Sequence, residues 1–203
     1  LLNDNGFNAL LYAMRERKNP AVIKMLIDAG SDLNKQNVYG NGTALIDAAR
    51  MGWQDVVQLL IDAGADLEIQ DSVRATALIN AANSGCAGVV AQLISAGANI
   101  HYRETYGRTV LRTAVVGKNE EVVRLLLEAA AGTYPQELLD SCVSDACCVY
   151  WRNMKTVKIL LASGAKFPPG CWFGIAENND IEMAKVMIEA GATDVNLKVS
   201  CNE

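Results

Sequence analysis

Val56-Val57-Gln58-Leu59-Leu60-Ile61-Asp62-Ala63-Gly64 is the stretch that decides the fold of this chain, because the same pattern returns at near-regular intervals. The residues that close it are separated in turn by 34, 33, 33, 34 and 27 positions along the 203-residue chain. A period in this range is typical of stacked supersecondary units rather than of one globular core. We therefore predict a solenoid of about six units, whose closing residues are Gly30, Gly64, Gly97, Ala130, Gly164 and Gly191.

Each unit carries two helical patterns. In the second, Val56, Leu59 and Leu60 recur at three- and four-residue spacing, which predicts one apolar helix face. The first pattern, residues 43–49 (Thr-Ala-Leu-Ile-Asp-Ala-Ala), predicts a thin apolar face that lets neighbouring helices approach closely. Its leading threonine can cap the free backbone N–H groups of that helix, and Gly64 can end the second helix in a left-handed conformation.

The succession Thr-Ala-Leu-x-x-Ala-Ala (43–49), a turn, Val-Val-x-Leu-Leu (56–60) and Gly-Ala-Asp-Leu (64–67) resembles the ankyrin repeat. The resemblance covers nearly the whole chain and is strongest between Gly6 and Ala130. It implies an all-α, ankyrin-type solenoid of helix-turn-helix repeats, with short β-hairpin fingers in the first four units. The Pro and His that the family usually carries after Thr and after Leu are absent, so we expect apolar packing to replace their hydrogen bonds between repeats.

The connectors between units divide the solenoid into two parts. Connectors rich in Asn, Asp, Glu and Gly precede the first four units, whereas the run Gly-Thr-Tyr-Pro-Gln (132–136) leads directly into a helix, which we predict to be longer than the other first helices and to cover about residues 135–150. We therefore predict four finger-bearing repeats over residues 1–132, and two irregular C-terminal repeats with a tail over residues 133–203. The irregular repeats are expected to act as a cap that shields one end of the stack. The opening residues match the later half of a connector, so we expect a preceding unit upstream.

Charge and polarity exclude several classes of function. The formal net charge is −5 and no face concentrates Lys and Arg, so binding to nucleic acid or to anionic membranes is not expected. Residues 75–102 lack Asp, Glu, Lys and Arg, but they contain several Asn, Ser and Gln residues and carry the repeat pattern, so we reject a membrane helix. That segment is interpreted as an interior unit of a monomer, with weak self-association as the alternative.

The cysteines indicate a reducing environment. They follow no regular spacing, which favours thiols in helices over a disulfide framework. We therefore expect a cytoplasmic protein, with a secreted effector as the alternative. The six cysteines are Cys86, Cys142, Cys147, Cys148, Cys171 and Cys201.

No group of residues supports catalysis. The single histidine, His101, stands at the start of a connector, and no Ser, Lys or carboxylate has a spacing suited to a nucleophile and its base. Cys142, Cys147, Cys148 and Cys171 could gather around zinc only if the irregular end folded back, and their spacing fits no known zinc knuckle. The glycines recur once per unit rather than forming a phosphate loop. We predict a non-enzyme without cofactor or metal.

Surface recognition is the remaining class of function. The resemblance implies that finger tips and the exposed side of each first helix bind a partner. Trp53 could anchor a partner or could pack over the neighbouring turn. Tyr39 and Tyr106, together with Arg74 and Arg108, suggest a groove suited to an acidic or extended peptide. The predicted binding residues are Val38, Tyr39, Asn41, Arg50, Met51, Trp53, Ser72, Arg74, Asn83, Thr105, Tyr106 and Arg108, with Val73, Ser84 and Val116 at corresponding positions.

We thus predict a protein-protein interaction module that binds a partner protein or peptide through its concave finger and first-helix surface. The alternative is a targeting or regulatory segment of a larger multidomain protein, an effector or an enzyme, whose activity lies outside this chain. A more distant alternative is a metal- or redox-responsive module that uses the C-terminal thiols.

Overall fold

The computed structural model describes residues 8–16, 19–104, 107–147, 153–168, 171–172, 175 and 180–191. Within these ranges the chain is helical, with eleven helices of seven or more residues and no β-strand. Backbone packing divides the chain into two compact units, residues 1–113 and 114–203. None of the described helices is long and apolar enough to cross a membrane.

Pairs of short helices build the first unit. Seven helices begin in it: α1 (Ala9–Arg15), α2 (Pro20–Asp28), α3 (Ala44–Met51), α4 (Gln54–Asp62), α5 (Ala77–Asn83), α6 (Ala87–Ser95) and α7 (Val110–Val116). Helix α1 packs against α2, α3 against α4, and α5 against α6. The first members of the pairs also pack on one another in succession, and so do the second members. We call α1, α3, α5 and α7 the inner helices, and α2, α4 and α6 the outer helices.

The ends of these helices follow the predicted chemistry. The hydroxyl of Thr43 accepts a hydrogen bond from the N–H of Ile46 at 3.3 Å, and Thr76 does the same for Ile79 at 3.5 Å. These contacts confirm the predicted threonine caps. Gly64 adopts the predicted left-handed conformation, with φ of 83°.

The core lies between the helix rows. Ala48 and Ala49 are fully buried, as the thin face of the first pattern predicts. On α4 the buried residues are Val56, Val57 and Leu60, and Leu59 is only half-buried. The predicted face was therefore wrong by one position, because α4 packs on both α3 and the neighbouring outer helices and turns Val57 inward.

The β-hairpin fingers predicted between the first four units are not confirmed. Among the described connectors, Asn37 N–H donates to the oxygen of Gly42 at 2.9 Å and Asp71 N–H donates to the oxygen of Ala75 at 3.0 Å. Arg103 and Thr109 form one isolated antiparallel bridge. One or two such bonds close a loop without forming a strand ladder. We call residues 36–42, 70–75 and 103–108 the first, second and third finger loops.

The second unit contains longer and less regular helices. Helix α9 (Gln136–Cys147) has 12 residues, against seven or eight in α1, α3 and α5, in agreement with the longer helix predicted for a unit that lacks a finger. The predicted end of this helix near residue 150 lies outside the described residues. The named helices here are α8 (Glu120–Ala130), α9 (Gln136–Cys147), α10 (Met154–Ala162) and α11 (Ile181–Glu189).

Ala130 is the last helical residue of α8, not the left-handed residue that the repeat pattern predicts at this position. It is helical and 2% exposed, and the left-handed residues are instead Ala131, with φ of 44°, and Gly132, with φ of 83°. Because an alanine stands where the other units have glycine, the helix continues through this position and the left-handed turn falls on the next two residues.

Candidate functional site

The first finger loop holds two apolar side chains in solvent. The Oδ1 of Asn37 accepts the N–H of Tyr39 at 3.1 Å, and its backbone oxygen accepts the N–H of Asn41 at 3.1 Å. Asn41 has a φ of 54°, in the left-handed region that Asn tolerates better than most residues. Val38 is consequently 63% exposed and Tyr39 is 67% exposed.

The second finger loop is organised by a buried carboxylate. The Oδ1 of Asp71 accepts the N–H groups of Val73 at 3.0 Å and of Ala75 at 2.9 Å. Arg74 has a φ of 63°, and its guanidinium points away from the core and donates to the side chain of Gln70 at 3.3 Å. The aspartate therefore fixes the loop, whereas the arginine stays exposed.

Main-chain groups join the first two finger loops. The N–H of Ser72 donates to the oxygen of Gly40 at 2.8 Å. The amide of Gln36 donates both to the oxygen of Asn41 in its own loop and to the oxygen of Gln70 in the next, each at 2.8 Å. The two loops therefore form one continuous edge although no strands are present in them.

Arg50 connects inner helix α3 to the next repeat. Its Nε donates to the Oδ1 of Asn80 at 3.2 Å, and its terminal nitrogens lie 3.4 Å from Asp47 and 3.6 Å from Asp71. Burial raises the pKa of Asp47, the Arg50 guanidinium opposes that rise, and the nearby Asp71 carboxylate adds to it. Half of the Arg50 side chain remains exposed, so it can also face a partner.

The third finger loop repeats the pairing of a covered acid with an exposed arginine. The Nε of Arg108 lies 3.1 Å from the Oε1 of Glu104, and the two side chains are 49% and 5% exposed. Thr105 and Tyr106, both predicted binding residues, lie outside the described residues.

Two cavities open between the finger loops and the inner helices. The larger one has a volume of about 560 Å³ and contains three predicted residues, Tyr39, Arg50 and Met51. The guanidinium of Arg15 lies 5.8 Å from the ring centroid of Tyr39, within the range of a cation–π contact. The cavity is lined by Met14, Arg15, Asn37, Tyr39, Asp47, Arg50 and Met51.

The second cavity is smaller and more polar. Its volume is about 140 Å³, and it contains the predicted residues Val73, Asn83 and Arg108. Asn80 lies in its wall and also contacts Arg50, which lines the first cavity, so the two cavities are adjacent. The remaining lining residues are Ala75, Ile79, Glu104 and Thr113.

Trp53 lies away from these two cavities. It is half-buried at the turn between α3 and α4, and it lines a separate cavity of about 470 Å³ together with Asn19, Pro20 and Gln54. This third cavity shares no lining residue with the other two. Trp53 is therefore not brought together with Tyr39, Arg50 and Met51.

Sequence reasoning missed several residues of the larger cavity. Arg15 is the last residue of α1, as Arg50 is nearly the last of α3, but an extra residue after α1 shifts their spacing to 35. Aligning the capping residues Asn8 and Thr43 would have revealed the match. Met14 and Asn37 belong to the same cavity and carried no comparable signal.

The second unit offers no metal site within its described residues. No three His, Cys, Asp or Glu side chains in the described part of the chain lie close enough to hold a metal ion. The thiols of Cys147 and Cys171 share a hydrogen bond, which together with burial raises the pKa of Cys147. Cys142 is fully buried. Cys148 lies outside the described residues.

The comparison with known families decides the identity of this fold. A family model described as ankyrin repeats, with three copies, matches residues 1–71 and 48–137, which is more than half of the chain. The chain belongs to the ankyrin repeat family. The ankyrin repeat resemblance read from the sequence is therefore confirmed.

Solved structures and curated proteins give two further results for this ankyrin repeat chain. It is similar to the crystal structure of an ankyrin repeat domain from Acinetobacter baumannii AYE, with 28% identity and a TM-score of 0.71. The match covers 82% of this chain and 86% of that one. None of the curated proteins compared matches it.

Proposed function

We propose that this ankyrin repeat chain binds a partner protein through the finger loops and inner helices of its finger-bearing repeats, residues 1–132, with residues 133–203 acting as the C-terminal cap. Ankyrin repeats are generally protein-protein interaction modules and are typically non-catalytic. The observation that carries the proposal is the pair of adjacent cavities, of about 560 and 140 Å³, between the finger loops and the inner helices.

The arrangement of this surface favours an extended segment of the partner. The adjacent cavities belong to successive repeats, so a segment that follows the edge of the finger loops contacts one repeat after another. Tyr39 offers a large amphipathic ring at one side of the first cavity, and the neighbouring Arg15 restrains it before binding. A side chain that is already restrained loses less entropy on association.

Replacement of Tyr39 tests the proposed surface. After affinity capture of a partner from the native source, we expect Tyr39→Ala to weaken binding of that partner about tenfold, the loss typical of an aromatic interface residue. Helical content and melting temperature should stay nearly unchanged, because this side chain is 67% exposed. Calorimetric titration with the purified partner measures the affinity. Tyr106→Ala, at the tip predicted for the third finger loop, should act in the same direction.

Two further variants locate the binding surface. Met25→Ala is the matched control, because Met25 is 70% exposed on outer helix α2 and should leave binding intact. Trp53→Ala probes the separate cavity at the turn between α3 and α4. Loss of binding in Trp53→Ala with full binding in Tyr39→Ala would contradict the proposal and assign binding to that cavity instead.

A further inference from the structure

Charged side chains are segregated within the described part of the first unit. The carboxylates on the finger loops and inner helices are buried or half-buried, namely Asp47, Asp71 and Glu104. Among the described residues of those same elements, the exposed charged side chains are arginines, apart from Glu16, which caps the end of α1; these arginines are Arg15, Arg50, Arg74, Arg103 and Arg108. The outer helices and the connectors that follow them expose mainly acids, among them Asp28, Asp55, Asp62, Asp66 and Glu68.

The buried carboxylates form ion pairs with the arginines from beneath, so the arginine side chains stay about half exposed. Asp71 accepts backbone N–H groups of its own loop and lies beneath Arg50, and Glu104 lies beneath Arg108. A guanidinium has five N–H donors, and the three contacts of Arg50 leave part of its fork directed outward. The finger loops and inner helices therefore expose mainly cations, contrary to the expectation that no face concentrates them, although the whole chain carries a net charge of −5.

Each of four successive repeats contributes to this set of cations. Arg15 ends α1 and Arg50 lies at the end of α3, whereas Arg74 and Arg108 come from the finger loops that precede α5 and α7. We call these four residues the arginine row. Arg15 and Arg50 line the larger cavity and Arg108 lines the smaller one.

The repeat spacing sets the spacing of a matching ligand. Packed helices stand about 8–10 Å apart. A polyproline II segment has three residues per turn and rises about 9 Å in that turn, so every third side chain projects in the same direction. A segment in this conformation presents one side chain to each repeat.

We propose that the arginine row recognises an extended acidic peptide segment that carries a carboxylate at every third residue, one for each repeat. The inference rests on the proposed protein-binding function of this surface and adds the chemistry of the partner. The carboxylates form charge-assisted hydrogen bonds with the guanidinium groups. The residues between them pass over the apolar parts of the larger cavity, Met14, Tyr39 and Met51.

Three labelled peptides test the charge and the spacing. The probe is a twelve-residue peptide of four Glu-Pro-Ser units, and fluorescence polarisation measures its binding to the whole chain at low salt. We expect the corresponding Gln-Pro-Ser peptide to bind at least about tenfold more weakly, because four ion pairs, each contributing about two- to fivefold, are lost. A peptide of the same composition with its four glutamates together should also bind more weakly. Equal binding of the regular and clustered peptides would overturn the spacing.

Substitutions in the arginine row test whether these residues bind the peptide. Arg15→Gln and Arg74→Gln should each weaken binding of the Glu-Pro-Ser peptide about two- to fivefold, the value of one exposed ion pair. Lys24→Gln is the matched control, because it removes the same charge from outer helix α2. Added salt should reduce the difference between the variants and the unchanged chain.

The outcomes separate this inference from the proposed function. If the glutamate peptide does not bind, or if Lys24→Gln weakens it as much as Arg74→Gln, the acidic segment is wrong. If the glutamine peptide binds equally well and Tyr39→Ala weakens both peptides, the acidic segment is wrong while the proposed surface stands. If peptide binding responds to neither Tyr39→Ala nor Arg74→Gln, both the inference and the proposed surface are wrong.

Discussion

Gly52 and Gly64 both end a helix in the left-handed conformation, with φ of 71° and 83°, yet their surroundings differ. A Cβ atom at position 52 would lie 2.8 Å from the Sγ of Cys86 in the next repeat, whereas one at position 64 would meet no atom within 4 Å. At Gly64 only the backbone demands glycine. At Gly52 an added Cβ atom would also force the thiol of Cys86 in the next repeat to move.

We expect Gly52→Ala to destabilise the protein more than Gly64→Ala. The left-handed conformation costs an alanine about 1–2 kcal/mol at either position, and the contact with Cys86 adds a steric cost only at position 52. Urea denaturation followed by circular dichroism measures both losses. Addition of Cys86→Ala should reduce the loss in Gly52→Ala and leave that in Gly64→Ala unchanged. An equal loss in the two single variants would contradict this assignment.

Most helices of the first unit start with a side chain that accepts a backbone N–H. At the start of the inner helices α1, α3 and α5, the side chains of Asn8, Thr43 and Thr76 respectively each accept a hydrogen bond from a backbone N–H of the first turn. Outer helix α2 starts in the same way, with the side chain of Asn19 accepting the N–H of Ala21, whereas α4 and α6 follow Trp53 and Cys86, whose side chains make no such bond. The inner helices therefore have fixed starting points, and these starts border the finger loops.

Removal of one cap should destabilise the repeat measurably. Thr43 is 1% exposed, so Thr43→Val keeps its shape but leaves the N–H of Ile46 without its acceptor. We expect a loss of about 1–2 kcal/mol in the free energy of unfolding by denaturant. Thr43→Ser keeps the hydroxyl and should retain most of the stability. A loss in Thr43→Ser as large as in Thr43→Val would show that packing of the methyl group, rather than the cap, matters here.

The helices could be predicted from the sequence because their determinants are local. Apolar spacing, threonine caps and helix-ending glycines act within one or two turns, and they recur with the period of the repeat. The absence of strands in the described finger loops could not be predicted from local patterns, because a strand needs a ladder of backbone hydrogen bonds. Each of these loops has only one or two such bonds. The burial of Val57 rather than Leu59 likewise depends on the neighbouring outer helices.

The candidate site could be predicted only in part. Tyr39, Arg50 and Met51 line one cavity as the repeat positions indicate. The contacts of Arg50 with Asn80 and Asp71 cross from one repeat to the next, over sequence separations that no local pattern reports. Trp53 follows the same positional argument as Arg50, but it lies just beyond the end of α3, at the start of α4, and lines a different cavity.

At the scale of the whole chain, the cysteine side chains differ in burial between the two units. Cys142 on α9 is fully buried in the second unit, whereas Cys86 in the first unit is only half-buried. The raised pKa of Cys147 disfavours its thiolate, which is the reactive form. Burial and thiolate chemistry therefore give these three cysteines different reactivities.

Brief treatment of the native protein with iodoacetamide should modify Cys86 before Cys142 and Cys147. Peptide mass spectrometry of samples quenched at increasing times measures the order. In denaturant the three thiols should react at similar rates, which serves as the control for intrinsic reactivity. Modification of native Cys142 as fast as that of Cys86 would contradict the packing of α9.

The bond between the first two finger loops uses main-chain atoms at both ends, the N–H of Ser72 and the oxygen of Gly40. Its strength is therefore almost independent of which side chains the loop tips carry, provided that position 72 is not proline. Val38, Tyr39, Ser72 and Val73 can be exchanged while the loops stay joined. Evolution or a designed library can alter partner choice at these tips without rebuilding the scaffold beneath them.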